Sequence, residues 1–144
     1  MKIRKAKKSE LKEIALLMKK ELGKPPYNEK ESINNVIKSL AFYFKIGEIY
    51  VYLIEKEIAG VVVFKIEQYW EGKVIIIEDL IVKHEFKRKG IGKELMKFVE
   101  DYAKKKKIKS IYFSTNKDAE AVGFYEKIGY VKSKKTIFMR KKQT

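Results

Sequence analysis

The chain has 144 residues, 45% hydrophobic and 37% charged, with one histidine and no cysteine. That length supports one core without metal or disulfide help, so a single domain over residues 1–144 is expected. The missing cysteines and the lone His84 exclude structural zinc sites, thiol nucleophiles and redox pairs, and no metal is expected.

Thirty-four Lys and Arg against 19 Asp and Glu give a net charge of +15, which makes polyanions plausible partners. No zinc finger, basic zipper or ribonucleoprotein signature accompanies the charge, so nucleic acid is disfavoured as the partner. The apolar run from Ile14 to Met18 is too short and interrupted for a signal peptide or a membrane span. A cytoplasmic location with no membrane partner is expected.

Lys2 to Ala6 reads as a first strand. Ser9 can cap a helix carrying Leu11, Ile14, Ala15, Leu17, Met18 and Leu22, which Gly23-Lys24-Pro25-Pro26 stops. Asn28, with Glu31 three residues on, can cap a second helix bearing Ile33, Val36, Ile37, Leu40 and Ala41. Glu48–Glu55, Ile58–Gln68 and Lys73–Val82 are rich in Val, Ile and Tyr and read as consecutive antiparallel strands. Next come a helix from about Ile91 to Lys105 and a strand from Ile108 to Ser114, a right-handed parallel crossover. Asn116 or Asp118 can cap a last helix through Lys127. Tyr130–Lys132 and Thr136–Lys141 are expected as closing strands around a Ser133–Lys135 turn.

The most informative stretch is the entry to the Ile91 helix, where an apolar strand runs into Lys87-Arg88-Lys89-Gly90-Ile91-Gly92-Lys93. A helix N-terminus offers unpaired N–H groups and about half a positive charge, so it suits a phosphate. Gly90 and Gly92 permit close backbone approach, and Lys87, Arg88, Lys89 and Lys93 add charge. A P-loop would need a glycine at Lys87 and Ser or Thr at Glu94; a dinucleotide fingerprint would need a third glycine at Leu95. Both readings fail.

Together with Ala121-Val122-Gly123-Phe124-Tyr125-Glu126-Lys127-Ile128-Gly129-Tyr130, this turn resembles the acyl-coenzyme A site of the GCN5-related N-acetyltransferase (GNAT) superfamily, and the element order βααβββαβαββ extends the resemblance over essentially the whole chain. The resemblance implies an α/β (α+β) fold, a mixed central sheet whose fourth and fifth strands splay apart. It also implies acetyl-coenzyme A as acyl donor and a primary amine, on a small molecule or a protein, as acceptor. Coenzyme A pyrophosphate would meet the backbone of Arg88, Lys89, Gly90, Ile91, Gly92 and Lys93. Lys87 stands where the family usually has Arg or Gln and supplies a point charge in place of a planar fork. The pantetheine arm would lie along Leu80, Ile81 and Val82. The family's asparagine contact falls at Asp118, with Asn116 two residues earlier, and both are candidate cofactor contacts.

In the same resemblance Tyr125 protonates the departing thiolate and Glu78 is the base, directly or through water, with the N–H near Leu80 facing the oxyanion. Strand alternation would send Asp79 to the opposite face of the sheet. Acceptor contacts would come from Gly23–Asn28, Tyr43 and Ser133–Thr136, with Glu67, Glu71 and Glu78 as an acidic patch. Tyr69 and Trp70 read as turn anchors or homodimer contacts. Two other readings stand beside direct transfer in a ternary complex: a non-catalytic acyl-coenzyme A binding or sensing module, and a basic protein associated with nucleic acid.

Overall fold

The computed structural model describes residues 2–143. The chain runs β1 (Ile3–Lys5), α1 (Leu11–Leu22), α2 (Ile33–Ile46), β2 (Glu48–Ile54), β3 (Glu57–Tyr69), β4 (Gly72–Val82), α3 (Ile91–Lys105), β5 (Ser110–Tyr112) and α4 (Ala121–Lys127). The strands form one sheet in the order β1-β2-β3-β4-β5. Neighbours are antiparallel up to β4, and β4 pairs with β5 in parallel.

Alternation along the strands divides the core in two. Val51, Val61 and Val63 face α1 and α2, where they meet Ile14, Met18 and Leu40. Tyr52, Val62, Phe64 and Ile75 face α3, where they meet Leu95, Met96 and Val99. Burying a branched side chain of this kind contributes about 1.5–3 kcal/mol, so the two apolar faces of the sheet fix where each helix lies. Helix α3 also packs close to the sheet at Gly60, where a Cβ would meet Ile91 Cγ2 at 3.1 Å and Leu95 Cδ1 at 3.2 Å. That proximity sets the start of α3 directly over the first residues of β3.

Caps differ from the expected ones. Helix α2 is capped by Ser32, whose hydroxyl accepts from Asn35 N at 3.2 Å, four residues beyond the expected Asn28. Before α1 a 3₁₀ turn covers Lys8–Glu10. There Glu10, not Ser9, satisfies the open end: it accepts from Lys7 N at 2.8 Å and from Arg4 at 2.7 Å. Charged acceptors make stronger bonds than a hydroxyl, so the carboxylate prevails. Neither Asn116 nor Asp118 caps α4, whose N-cap is Glu120 without a side-chain bond.

The closing strands do not form. Ser133 and Thr136 hydroxyls hydrogen-bond across the expected turn, but Val131, Ile137, Phe138 and Met139 stay 81–89% exposed and pair with no strand. Lys132, Lys134, Lys135, Arg140, Lys141 and Lys142 crowd this segment, and like charges facing one another across a hairpin oppose pairing. Tyr69 stacks on Tyr112 at 5.8 Å, as a turn anchor should, whereas Trp70 projects fully into solvent.

Candidate functional site

Strands β4 and β5 are paired only from Val74↔Ser110 to Ile76↔Tyr112. Beyond Ile76 they part, and a cavity of about 640 Å³ opens between Ile77–Ile81 and Phe113–Asn116. Its other walls come from α1, the α1–α2 loop, α2 and Tyr125. On its β3 side β4 remains bonded, with Leu80 opposite Val62 and Ile81 opposite Val61. Among the described residues its opposite edge from Ile77 onward has no strand partner, so the main-chain groups between Leu80 and Val82 that point away from β3 are open to a strand-like guest.

The register of β3 on β4 slips here: Val63 pairs with Asp79 and Phe64 with Ile77, leaving Glu78 as an extra residue. Such a bulge reverses the alternation of side chains beyond it. Ile75 and Ile77 lie in the α3-side core, yet Ile81, also an odd position, lies in the α1/α2-side core. Asp79 therefore does not take the opposite face expected from simple alternation; it lines the cavity together with Glu78. Burial, then the charge of Glu78, pushes the Asp79 carboxyl up to about 7. Glu78 has a cation at hand, Lys65 Nζ at 3.3 Å.

Tyr125 reaches the cavity from α4. Its ring packs on Phe113 at 4.6 Å and Phe124 at 5.2 Å, which fixes the direction of the hydroxyl. Burial, and after it the fields of Tyr27 and Asp79, push the phenol up to about 12. It is thus a group that holds its proton at neutral pH beside a carboxyl able to lose one.

The glycine turn lies at the same end of the sheet. Arg88 has φ +65° and Gly90 φ +81°, so the chain turns twice through the left-handed region before α3 begins. Gly90 is the N-cap and offers no side chain, and the first intrahelical bond is Glu94 N to Gly90 O at 3.0 Å. The N–H groups of Ile91, Gly92 and Lys93 are left to a ligand or water. Arg88 is exposed, 3.9 Å from Glu120, and Lys89 lies over the Phe86 ring at 5.6 Å. Lys93 is exposed.

Lys87 behaves differently from the other cations. Its ammonium is 3.3 Å from Glu21, a buried residue of α1 that also binds Lys24 at 3.2 Å and accepts the main-chain N–H of His84 at 3.2 Å. Lys87 therefore helps fasten the turn to α1. Nothing in the local sequence marks Glu21, because His84 and Lys87, two of its partners, lie 63 residues or more away.

Of the two candidates after β5, Asn116 lines the cavity and Asp118 does not. Instead Asp118 closes a local turn, its N–H donating to Asn116 Oδ1 at 2.8 Å. The acidic patch is also rearranged: Glu67 pairs with Lys65 at 3.3 Å, and Glu71 accepts from Ser110 and Tyr112 at 3.2 and 2.8 Å. Only Glu78 of that trio reaches the cavity, where Asp79, Glu29 and Glu31 join it. Tyr27, and beyond the loop Asn35 and Ser39, also line the cavity.

The fourth and fifth strands part beside a helix start without a side-chain cap, and the model of the Acetyltransferase (GNAT) family matches residues 14–130. The chain belongs to that family. Probable N-acetyltransferase 14 of Xenopus tropicalis is 29% identical over 98 residues, 65% of this chain and 47% of that protein, so the chain spans about half the length of the curated relative. Among solved structures, one described as a possible acetyltransferase from Clostridium difficile 630 superposes with a TM-score of 0.84 at 19% identity, over 99% of this chain and 97% of the other. AAC(6')-Iy, solved in complex with the bisubstrate analog CoA-S-monomethyl-acetylneamine, gives a TM-score of 0.79 at 16% identity, over 98% and 97% of the two chains. Both share the fold.

Proposed function

We propose that the protein transfers an acetyl group from acetyl-coenzyme A to a primary amine by direct attack in a ternary complex. The observation that carries this reading is the meeting of one cavity, one open strand edge and one uncapped helix start at the same end of the sheet. Main-chain N–H groups from Arg88 to Lys93 would hold the diphosphate, with Arg88, Lys89 and Lys93 around it. The pantetheine arm would bond the free edge at Leu80, Ile81 and Val82, and Asn116 lies where the arm would enter the cavity.

An amine with pKa near 10 must lose a proton before it can attack, and a thiolate with pKa about 8.5 leaves better once protonated. In this reading Asp79 or, through water, Glu78 takes one proton from the ammonium, and the freed nitrogen bonds to the thioester carbonyl carbon and sheds its second proton to water. The C–S bond then breaks, and Tyr125 protonates the sulfur, leaving an amide and free coenzyme A. Glu78 is already paired with Lys65, whereas Asp79, raised to about 7, can be neutral or charged near pH 7, so Asp79 is the better proton acceptor. With no cysteine in the chain, a cysteine-borne acyl intermediate is excluded.

Thiol release from acetyl-coenzyme A, followed over a panel of amines, tests the proposal. Saturable binding with no thiol release from any amine would favour the non-catalytic module. Salt-sensitive binding to random duplex, unaffected by acetyl-coenzyme A, would support nucleic-acid association. The exposed Trp70 is the proposed contact of a homodimer, which sedimentation at micromolar concentration checks.

A further inference from the structure

The reading above leaves open which amines the cavity accepts, and the charges on its walls bear on that. In a chain of net charge +15, the walls of this one cavity carry Glu29 and Glu31 on one side and Glu78 and Asp79 on the other, against Lys19 alone. Lys19 spends its ammonium on the main-chain oxygen of Glu31 at 2.8 Å. Asn35 donates to Glu31 Oε2 at 2.9 Å, which aims that carboxylate without neutralising it. Among the described residues, Glu29, Glu31 and Asp79 make no ion pair, although cations outnumber acids along the chain.

Uncompensated carboxylates facing a common space repel one another, and the cost falls when a cation enters. Glu29 and Glu31 are exposed at the mouth of this space, whereas Asp79 is held up by its burial and by Glu78 beside it. Glu29 and Glu31 belong to the α1–α2 loop, on the wall across from β4, so the walls offer two separate anchoring points for positive charge. The cavity of about 640 Å³ must also take the end of the pantetheine arm, so what remains suits only a small, flexible acceptor.

We propose that the acceptor is a small polyamine, with the reacting nitrogen at Asp79 and a second, cationic nitrogen held by Glu29 and Glu31. This deepens the acyl-transfer reading and rests on it. A monoamine fills only the reacting end and leaves the distal carboxylates without a partner.

The test is calorimetric titration of the coenzyme A-loaded protein with 1,4-diaminobutane, spermidine and butylamine at matched ionic strength, beside thiol-release kinetics with the same amines. The diamine is expected to bind about tenfold or more tightly than butylamine. Glu29→Gln with Glu31→Gln should bring it close to the monoamine value, raising KM far more than it changes kcat. Glu67→Gln, away from the cavity, should leave the preference intact. Equal affinity for diamine and monoamine, or a preference that survives the double substitution, overturns the proposal. Diamine binding that depends on Glu29 and Glu31 but releases no thiol supports the anchoring site while removing catalysis.

Discussion

The carboxylate of Glu21 accepts the main-chain N–H of His84 at 3.2 Å, joining the middle of α1's last turn to the loop that leads into the glycine turn. With Lys24 and Lys87 bound as well, this buried group is the clamp on the cradle. Glu21 is buried while its lysine partners are 38% and 49% exposed, so losing its bonds costs about 1–2 kcal/mol. Glu21→Ala should therefore lower stability by that order in urea unfolding, and weaken acetyl-coenzyme A binding in calorimetry through a loosened turn. Lys87→Met should weaken binding less than the paired Arg88→Ala and Lys89→Ala substitutions, since its charge is already engaged.

The same clamp predicts an acid response. Burial alone would push the Glu21 carboxyl up, but Lys24 and Lys87 outweigh it and hold the group below the usual glutamate range. A depressed folded value means that the contribution is fully present above about pH 4.3, the unfolded value, and is lost as pH falls through the lower folded one. Thermal melts of wild type and Glu21→Gln should converge at low pH and separate at neutrality. Curves that stay equally separated down to strong acid would remove Glu21 from the acid response.

The two glycines of the turn should respond oppositely to alanine. Gly90 has φ +81°, a conformation costing a residue with a Cβ about 1–2 kcal/mol, so Gly90→Ala lowers stability by that order. Gly92 is helical, and a Cβ there would meet Phe124 Cζ at an ordinary 3.6 Å. Gly92→Ala should therefore gain about 0.5–1 kcal/mol of stability. Its methyl nonetheless stands beside the free N–H groups, so acetyl-coenzyme A should bind more weakly. A Gly92→Ala protein that is both more stable and unchanged in affinity would move the diphosphate elsewhere.

Much of this was readable in the residues, and the exceptions share a cause. The span of α3, Ile91–Lys105, follows from apolar spacing alone, and β2, β3 and β4 from their Val, Ile and Tyr content. These elements are decided by local propensity and one buried face. The bulge at Glu78 is different, because Lys73-Val74-Ile75-Ile76-Ile77-Glu78-Asp79-Leu80 reads as an unbroken strand whichever register it adopts against β3. Glu21 and the β5 edge likewise depend on partners distant in sequence. The closing strands carry the right apolar residues, but the surrounding lysines oppose their pairing.

Asp79 should trade stability for activity. An acid whose folded value is raised to about 7 destabilises the fold progressively as pH rises from about 4 towards 7, because the unfolded chain ionises first. Asp79→Asn should therefore melt higher than wild type at pH 8 and about equally at pH 4. Its kcat/KM should fall about a hundredfold and lose the rise centred near pH 7. Glu78→Gln should keep that rise. If Glu78→Gln abolishes the pH dependence and Asp79→Asn retains it, the base is Glu78.

Tyr125→Phe isolates the acid. Phenylalanine keeps the ring between Phe113 and Phe124, so melting should change little and acetyl-coenzyme A affinity should be nearly unchanged. Only the hydroxyl is lost. Because burial keeps that hydroxyl protonated at neutral pH, its removal leaves the thiolate to depart unprotonated, and kcat should fall by about a hundredfold, at the low end for positioned acids. The deficit should shrink with an acyl donor whose thiol is more acidic, since such a leaving group needs less help. Equal turnover by Tyr125→Phe and wild type with acetyl-coenzyme A would take Tyr125 out of the reaction.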